Sequence, residues 1–208
     1  MSQPESIKNI LFDLGGVILD INIQATLKRF YELGFPPKLL QYPENMSTDL
    51  FFNYQTGRIE TTEFRNGLRQ AAEVNVSDDE LDEAWNAMII RIPEDRTGLL
   101  NQLRKRYNLY MLSNTSALHV PVFEKMYYDT AGISMHDTFK KIYYSHEIGC
   151  HKPDHDAWEF VVNDSGIVPE ETIFLDDSIQ NIKASQELGF QAIHIHERTS
   201  LMELGFDL

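Results

Sequence analysis

The sequence predicts an α/β fold, a doubly wound parallel sheet interrupted by a block of helices. Three observations predict it. Short apolar runs rich in β-branched and aromatic residues recur along the chain, as strands buried on both faces of a parallel sheet require. Helical patterns separate these runs over residues 93–208, the signature of βαβ units. Residues 20–92, between the first run and the others, read as amphipathic helices with no convincing strand among them.

The first strand is Ile10-Leu11-Phe12, inside NILFDLGGVILDIN (9–22). It ends on one acid, Asp13, and the pair Gly15-Gly16 follows closely. The insert carries helical patterns in IQATLKRFYELG (23–34), TTEFRNGLRQAAEV (61–74) and SDDELDEAWNAMII (77–90). Ser77 with Glu80 three residues later forms a capping box, and Gly57 stops a helix in NYQTGRIETTEF (53–64). Next, PEDRTGLLNQLRKRY (93–107) starts on Pro93 and lines Leu99, Leu100 and Leu103 on one face. The later strands are YNLYMLSNT (107–115), KKIYYSHEIG (140–149), TIFLDDS (172–178) and FQAIHIHE (190–197). Between them lie the helices PDHDAWEFVVNDSG (153–166) and SIQNIKASQELG (178–189), the latter opening on Ser178 and closing on Gly189. The expected organisation is an α/β, Rossmann-like core of residues 1–19 and 93–208, with a helical cap over 20–92. No internal repeat or low-complexity segment is present.

Composition excludes several classes. With 208 residues, 42% hydrophobic and 24% charged, the chain can bury a real core. A net charge of −14 argues against nucleic acid and anionic membrane surfaces, which are bound through Lys and Arg. An anionic substrate must then be drawn to a local positive site or a bound cation. A single cysteine, Cys150, forbids an intramolecular disulfide and fits a reducing compartment. The opening MSQPESIKN has no apolar leader segment, and no stretch reaches the roughly 20 apolar residues that span a bilayer. The expected location is cytoplasmic.

Ligands of open α/β sheets bind outside the carboxyl ends of the strands. Those ends carry Asp13, Ser113 with Asn114, a loop with His151 and Lys152, and Asp176 with Asp177. Taken singly, each has an ordinary role as a turn, cap or surface residue; together they form an inventory. Converging carboxylates repel one another unless a cation compensates, and an oxygen-only ligand set suits Mg²⁺. A lysine and a hydroxyl beside such an ion cradle phosphate, so the set matches phosphoryl transfer with one carboxylate as nucleophile.

The segments FDLGGVILD, LSNT, HKP and FLDDSIQNI, in that order, resemble the four motifs of the haloacid dehalogenase-like hydrolase superfamily. The helical insert sits where that family carries its cap. The FDLGxV start and the DDxxxNI finish are most similar to the sugar-phosphate phosphatase branch, including bacterial glucose-1-phosphate phosphatases. The resemblance implies a Mg²⁺-dependent phosphatase that hydrolyses a small phosphate monoester, a sugar phosphate, through an aspartyl-phosphate. It implies Asp13 as nucleophile and metal ligand, and Lys152 as the cation that neutralises nucleophile and phosphate. Ser113 and Asn114 would hold the phosphoryl oxygens. The metal would take Asp13, the Gly15 carbonyl and Asp177, with Asp176 as second choice. Asn181 stands where many relatives have another aspartate.

Gly15 departs from the family pattern, which has an aspartate there as acid–base. Such help typically contributes about 10²–10⁴-fold. Its absence points to another proton donor, with His119, His151 and His155 as candidates, or to substrates with good leaving groups. Two other readings compete: a haloacid dehalogenase-type hydrolase, which needs no metal, and a catalytically weak binding protein that keeps the pocket. A phospho-accepting receiver domain fits less well, because its acceptor would follow a middle strand, where this chain has Ser113.

Overall fold

Strands that are apolar on both faces demand helices on both faces, and the chain supplies them. The computed structural model describes residues 7–40, 49–196 and 201–204. Residues 1–6 of the opening MSQPESIKN and Glu197 at the end of the last predicted strand lie outside the described residues. The strands β1 (Asn9–Phe12), β4 (Asn108–Ser113), β5 (Lys141–Tyr144), β6 (Thr172–Asp176) and β7 (Gln191–His194) form one sheet in the order β5-β4-β1-β6-β7. All its pairings are parallel. The chain leaves β1 towards β4 and leaves β6 towards β7, so the topological switch lies between β1 and β6, where Asp13 and Asp176 emerge.

Alternation along β1 divides the core. Ile10 and Phe12 face α5 (Glu94–Leu103) and α6 (Val120–Ala131), meeting Leu100, Leu103, Phe123 and Tyr127. Leu11 faces the other way, with Trp158 and Val161 of α9 (Asp156–Ser165) and Ile182 of α10 (Ile179–Glu187). Two four-residue helices, α7 (Met135–Thr138) and α8 (Ser145–Ile148), flank β5.

The insert contains α1 (Ile23–Glu32), α2 (Asp49–Gln55), α3 (Thr61–Ala72) and α4 (Asp78–Asn86). Their apolar faces close on a separate cluster of Phe30, Phe51, Tyr54, Phe64 and Trp85. Asn22 caps α1 by accepting from the Gln24 amide, and the Ser77–Glu80 capping box starts α4. Gly57, with φ of 66°, follows α2 as the turn pattern predicts.

One expectation fails here. The insert does contain strands, a short antiparallel ribbon of β2 (Asp20–Ile21) and β3 (Ile89–Arg91) where the chain enters and leaves it. Two and three residues are too few to show a period of two, and Met88-Ile89-Ile90 instead extended the helical pattern of α4. Asp20 is paired with Arg91 and Arg96, both at 2.9 Å, which fastens the ribbon to the start of α5. Among the described residues, no helix is long and apolar enough to cross a membrane.

Candidate active site

The site grows from the ends of β1 and β6. Asp13 follows directly on β1, held by its own amide donating to the Leu175 carbonyl at 2.8 Å. Lys152 reaches in from the loop between α8 and α9, and its side chain is almost wholly buried, the residue 2% exposed. Its ammonium donates to Asp13 Oδ1 at 2.8 Å and to Asp176 Oδ2 at 2.7 Å. Asp176, with no exposed surface, also accepts from the Ser178 amide and twice from the Asn181 side chain. Each carboxylate oxygen of Asp176 is thus engaged, whereas Asp177 is exposed: its carboxylate accepts no hydrogen bond from another side chain among the described residues, and only its backbone carbonyl meets one, His194 Nε2 at 2.9 Å.

Charge follows this packing. Burial pushes Asp13 up to about 7, against the pull of Lys152, and Asp176 adds to the rise. Burial alone would lower Lys152, but Asp13 and Asp176 outweigh it and hold the ammonium above its ordinary range. Partial desolvation of its carboxylate on the side facing the site, and then Asp176, raise Asp177 although the residue as a whole is exposed. Asp13, Asp176 and Asp177 each offer an oxygen within 4.8 Å of the others. One lysine cannot balance three carboxylates, and oxygen atoms so arranged suit a hard divalent cation.

The glycine pair now divides in function. Gly16 has φ of 72°, and a Cβ there would overlap the Asp177 carboxylate. Gly15 has ordinary backbone, and a Cβ there would meet only the tip of Ile21, at 3.3 Å. Gly16→Ala should therefore lose about 1–2 kcal/mol from backbone strain alone and displace Asp177, raising the Mg²⁺ concentration needed for half-maximal activity. Gly15→Ala should cost under about 1 kcal/mol. Denaturant unfolding of both variants, with a metal titration of the first, checks the contrast.

Ser113 and Asn114 lie at the end of β4 but differ. The Ser113 hydroxyl has no hydrogen-bond partner among the described residues, although the residue is 3% exposed. The Asn114 amide is fully engaged: Oδ1 accepts from the Lys152 backbone amide at 3.0 Å, and Nδ2 donates to the Lys152 carbonyl at 2.8 Å. It fastens the lysine loop rather than facing the site. The loop beyond is tied to the insert by Trp85 Nε1 donating to Ser116 Oγ and by Leu118 donating to the Tyr54 hydroxyl.

The candidate proton donors fare poorly. His119 stacks on Trp85 and bonds Asn86 Oδ1 at 2.7 Å, so its Nδ1 carries the proton. Burial drives it down to about 3, with His146 adding to the fall, and the ring is neutral at pH 7. His155 pairs with Glu187 at 3.1 Å on the protein surface. His151 is held on both sides by Asn114 and Gln55. In the insert, Asp20, Asn22, Phe51 and Tyr54 hold structure, and Arg58 lies over the Phe52 ring. The sequence reading missed Asp176 as the lysine's second partner and Asn181 as its anchor. The only available signal was Asn181 lying five residues after Asp176 in the first turn of α10.

Comparison with known proteins agrees with this geometry. The family model for haloacid dehalogenase-like hydrolases matches residues 7–189. A D-ribitol-5-phosphate phosphatase from Bacteroides thetaiotaomicron is 31% identical over 185 residues, 89% of this chain and 90% of the relative. The crystal structure of a HAD family enzyme from the same organism, in complex with magnesium and inorganic phosphate, superposes with a TM-score of 0.85 at 35% identity, covering 92% of this chain and 95% of that one. L-2-haloacid dehalogenase from Xanthobacter autotrophicus shares the fold, with a TM-score of 0.61 at 17% identity over 91% of this chain and 77% of that one.

Proposed function

This chain belongs to the haloacid dehalogenase-like hydrolases, and from that membership we propose that Asp13 and Lys152 are its catalytic pair. The protein is a Mg²⁺-dependent phosphatase of small phosphate monoesters. We infer that its substrate is a phosphorylated sugar or sugar alcohol, the class to which the ribitol-phosphate relative's substrate belongs. The observation that carries the reading is the Lys152 ammonium bridging Asp13 and Asp176 beside Asp177. Residues 20–92 are read as the cap and the remainder as the core. A charge of −14 and a single cysteine support a cytoplasmic enzyme without a nucleic-acid partner.

In the proposed reaction an Asp13 oxygen attacks phosphorus and the bond to the leaving oxygen breaks, leaving an aspartyl-phosphate and an alcohol oxygen that takes its proton from solvent water. Water then attacks the same phosphorus, releasing inorganic phosphate and restoring the Asp13 carboxylate. Lys152 keeps Asp13 oriented and offsets the charge that collects on the phosphoryl oxygens. Ser113 donates its free hydroxyl to one of those oxygens. Asp13, the Gly15 carbonyl and Asp177 would hold Mg²⁺, which when bound supplies positive charge to the phosphoryl group and keeps Asp13 ionised. Asp176 is the second choice as ligand, being already engaged by Lys152 and Asn181. Residue 15 has no side chain to protonate the leaving oxygen, and neither His119 nor His155 supplies one.

The test is a panel of sugar and sugar-alcohol phosphates with Mg²⁺ and with chelator. Chelator should silence the enzyme and Mg²⁺ should restore it. Asp177→Ala should cut kcat/KM by more than about 100-fold, and Asn181→Ala, which acts through Asp176, by about 10-fold. Full phosphate release in chelator would overturn the Mg²⁺-dependent reading, and halide release from a haloacid with no phosphate release from the panel would favour dehalogenase chemistry. No phosphate release from any monoester would leave only a binding protein.

A further inference from the structure

The insert touches the catalytic lysine through a chain of side chains. Gln55, the last residue of α2, places Oε1 3.1 Å from His151 Nε2. His151 Nδ1 lies 3.3 Å from Asn114 Nδ2. The same Asn114 amide clamps the Lys152 backbone through both its N–H and its carbonyl, and Lys152 Nζ bridges Asp13 and Asp176.

Donor counting orients every member. The two Lys152 backbone contacts force Asn114 to present Nδ2 towards His151. That nitrogen only donates, so His151 Nδ1 must be bare. Gln55 Oε1 only accepts, so His151 Nε2 carries the proton. One neutral tautomer satisfies both neighbours; the imidazolium would set Nδ1–H against the Asn114 amide hydrogens. Burial and then Lys152 lower His151, which favours that neutral form. The other charges around the ring are Asp154 in its own loop and Arg58, which lies over Phe52, the ring packed against His151.

We propose that Gln55 is a positioning residue of the cap: by fixing the His151 tautomer it sets the Asn114 clamp and thereby the placement of Lys152 against Asp13. The inference rests on the reading of Lys152 as catalytic. It gives the cap a part in assembling the site as well as in covering it, because the chain is complete only with α2 docked on the lysine loop.

The test compares Gln55→Leu, Gln55→Glu and Lys152→Met on an aryl phosphate with saturating Mg²⁺, measuring kcat and KM from pH 5.5 to 9 and thermal unfolding of each protein. Gln55→Leu should lower kcat by about 10-fold across the range, with a smaller change in KM. Gln55→Glu offers a carboxylate to Nε2–H and favours the imidazolium, so its acid limb should move up by about one pH unit. That variant should be slow at pH 6 and recover towards wild type at pH 8.5, a rescue that a merely structural role would not produce. Wild-type kcat and pH profile in both Gln55 variants, with Lys152→Met inactive, would overturn the relay alone. The same holds if they lose only thermal stability. An active Lys152→Met would remove the catalytic reading and the relay with it.

Discussion

Asp13→Asn is expected to lower phosphate release by about 10⁴-fold or more while leaving the fold intact. Among the described residues the side chain is the only carboxylate that combines a place at the end of the central strand with a direct bond to the lysine and an edge open to solvent. An amide in its place keeps the shape and cannot attack phosphorus. Stability should move the other way. Burial raises Asp13 to about 7, so in metal-free protein the ionised form disfavours the folded state. A carboxyl whose folded pKa is raised loses stability as pH climbs from its unfolded value, near 4, through about 7. In chelator, Asp13→Asn should therefore be more stable than wild type at pH 8, with the difference shrinking towards pH 4. Thermal unfolding across that range measures it. Wild-type rates in the variant would remove the covalent step.

Lys152→Met is the second large effect, and it strikes both stability and rate. The lysine is 2% exposed and is the cation shared by two buried carboxylates. An apolar side chain of similar length leaves Asp13 and Asp176 facing each other uncompensated, a change that typically costs about 3–5 kcal/mol. The carboxylates can recover only by taking up a proton, so the metal-free variant should regain stability as pH falls from 8 to 5, as read by urea unfolding. Adding Asp176→Asn should restore most of the lost stability without restoring turnover. If the single variant were as stable as wild type at pH 8, the bridge would not be a net constraint. Lys152→Arg should fail as a substitute, because a planar fork cannot place one nitrogen at 2.8 and 2.7 Å from two carboxylates in a closed space.

How much of this was legible beforehand follows from the range of the interactions. The five strands of the main sheet declared themselves through continuous apolar runs, and the start of α4 through the Ser77–Glu80 pair. Such signals act over a few residues, and neighbours in sequence suffice to read them. The ribbon of β2 and β3 was not legible. It is two and three residues long and exists because Asp20 meets Arg91 and Arg96 more than seventy residues away. Helix α2 likewise has seven residues and takes its place from packing Phe51 and Tyr54 against Phe64 and Trp85.

For the site, the sequence by itself determined which groups stand at the strand ends, because a strand buried on both faces must deliver its first polar residue to its tip. Asp13, Ser113 and the Asp176-Asp177 pair were nameable on that ground, Lys152 was nameable as part of the loop that follows a strand, and their order carried the family resemblance; that a helix, α8, separates β5 from the lysine only the structure shows. The tertiary structure alone decided how they divide the work. Adjacent aspartates are equivalent in sequence, but Asp176 points to Lys152 and Asn181 while Asp177 lies exposed against Gly16. Of two adjacent glycines, only Gly16 has left-handed backbone and no room for a side chain. Asn114 faces the backbone of a residue 38 positions later, and Gln55 a histidine 96 positions later. Hydrogen bonds and desolvation depend on separations of a few ångströms in space, and spacing along the chain does not encode them until the sheet and insert have packed.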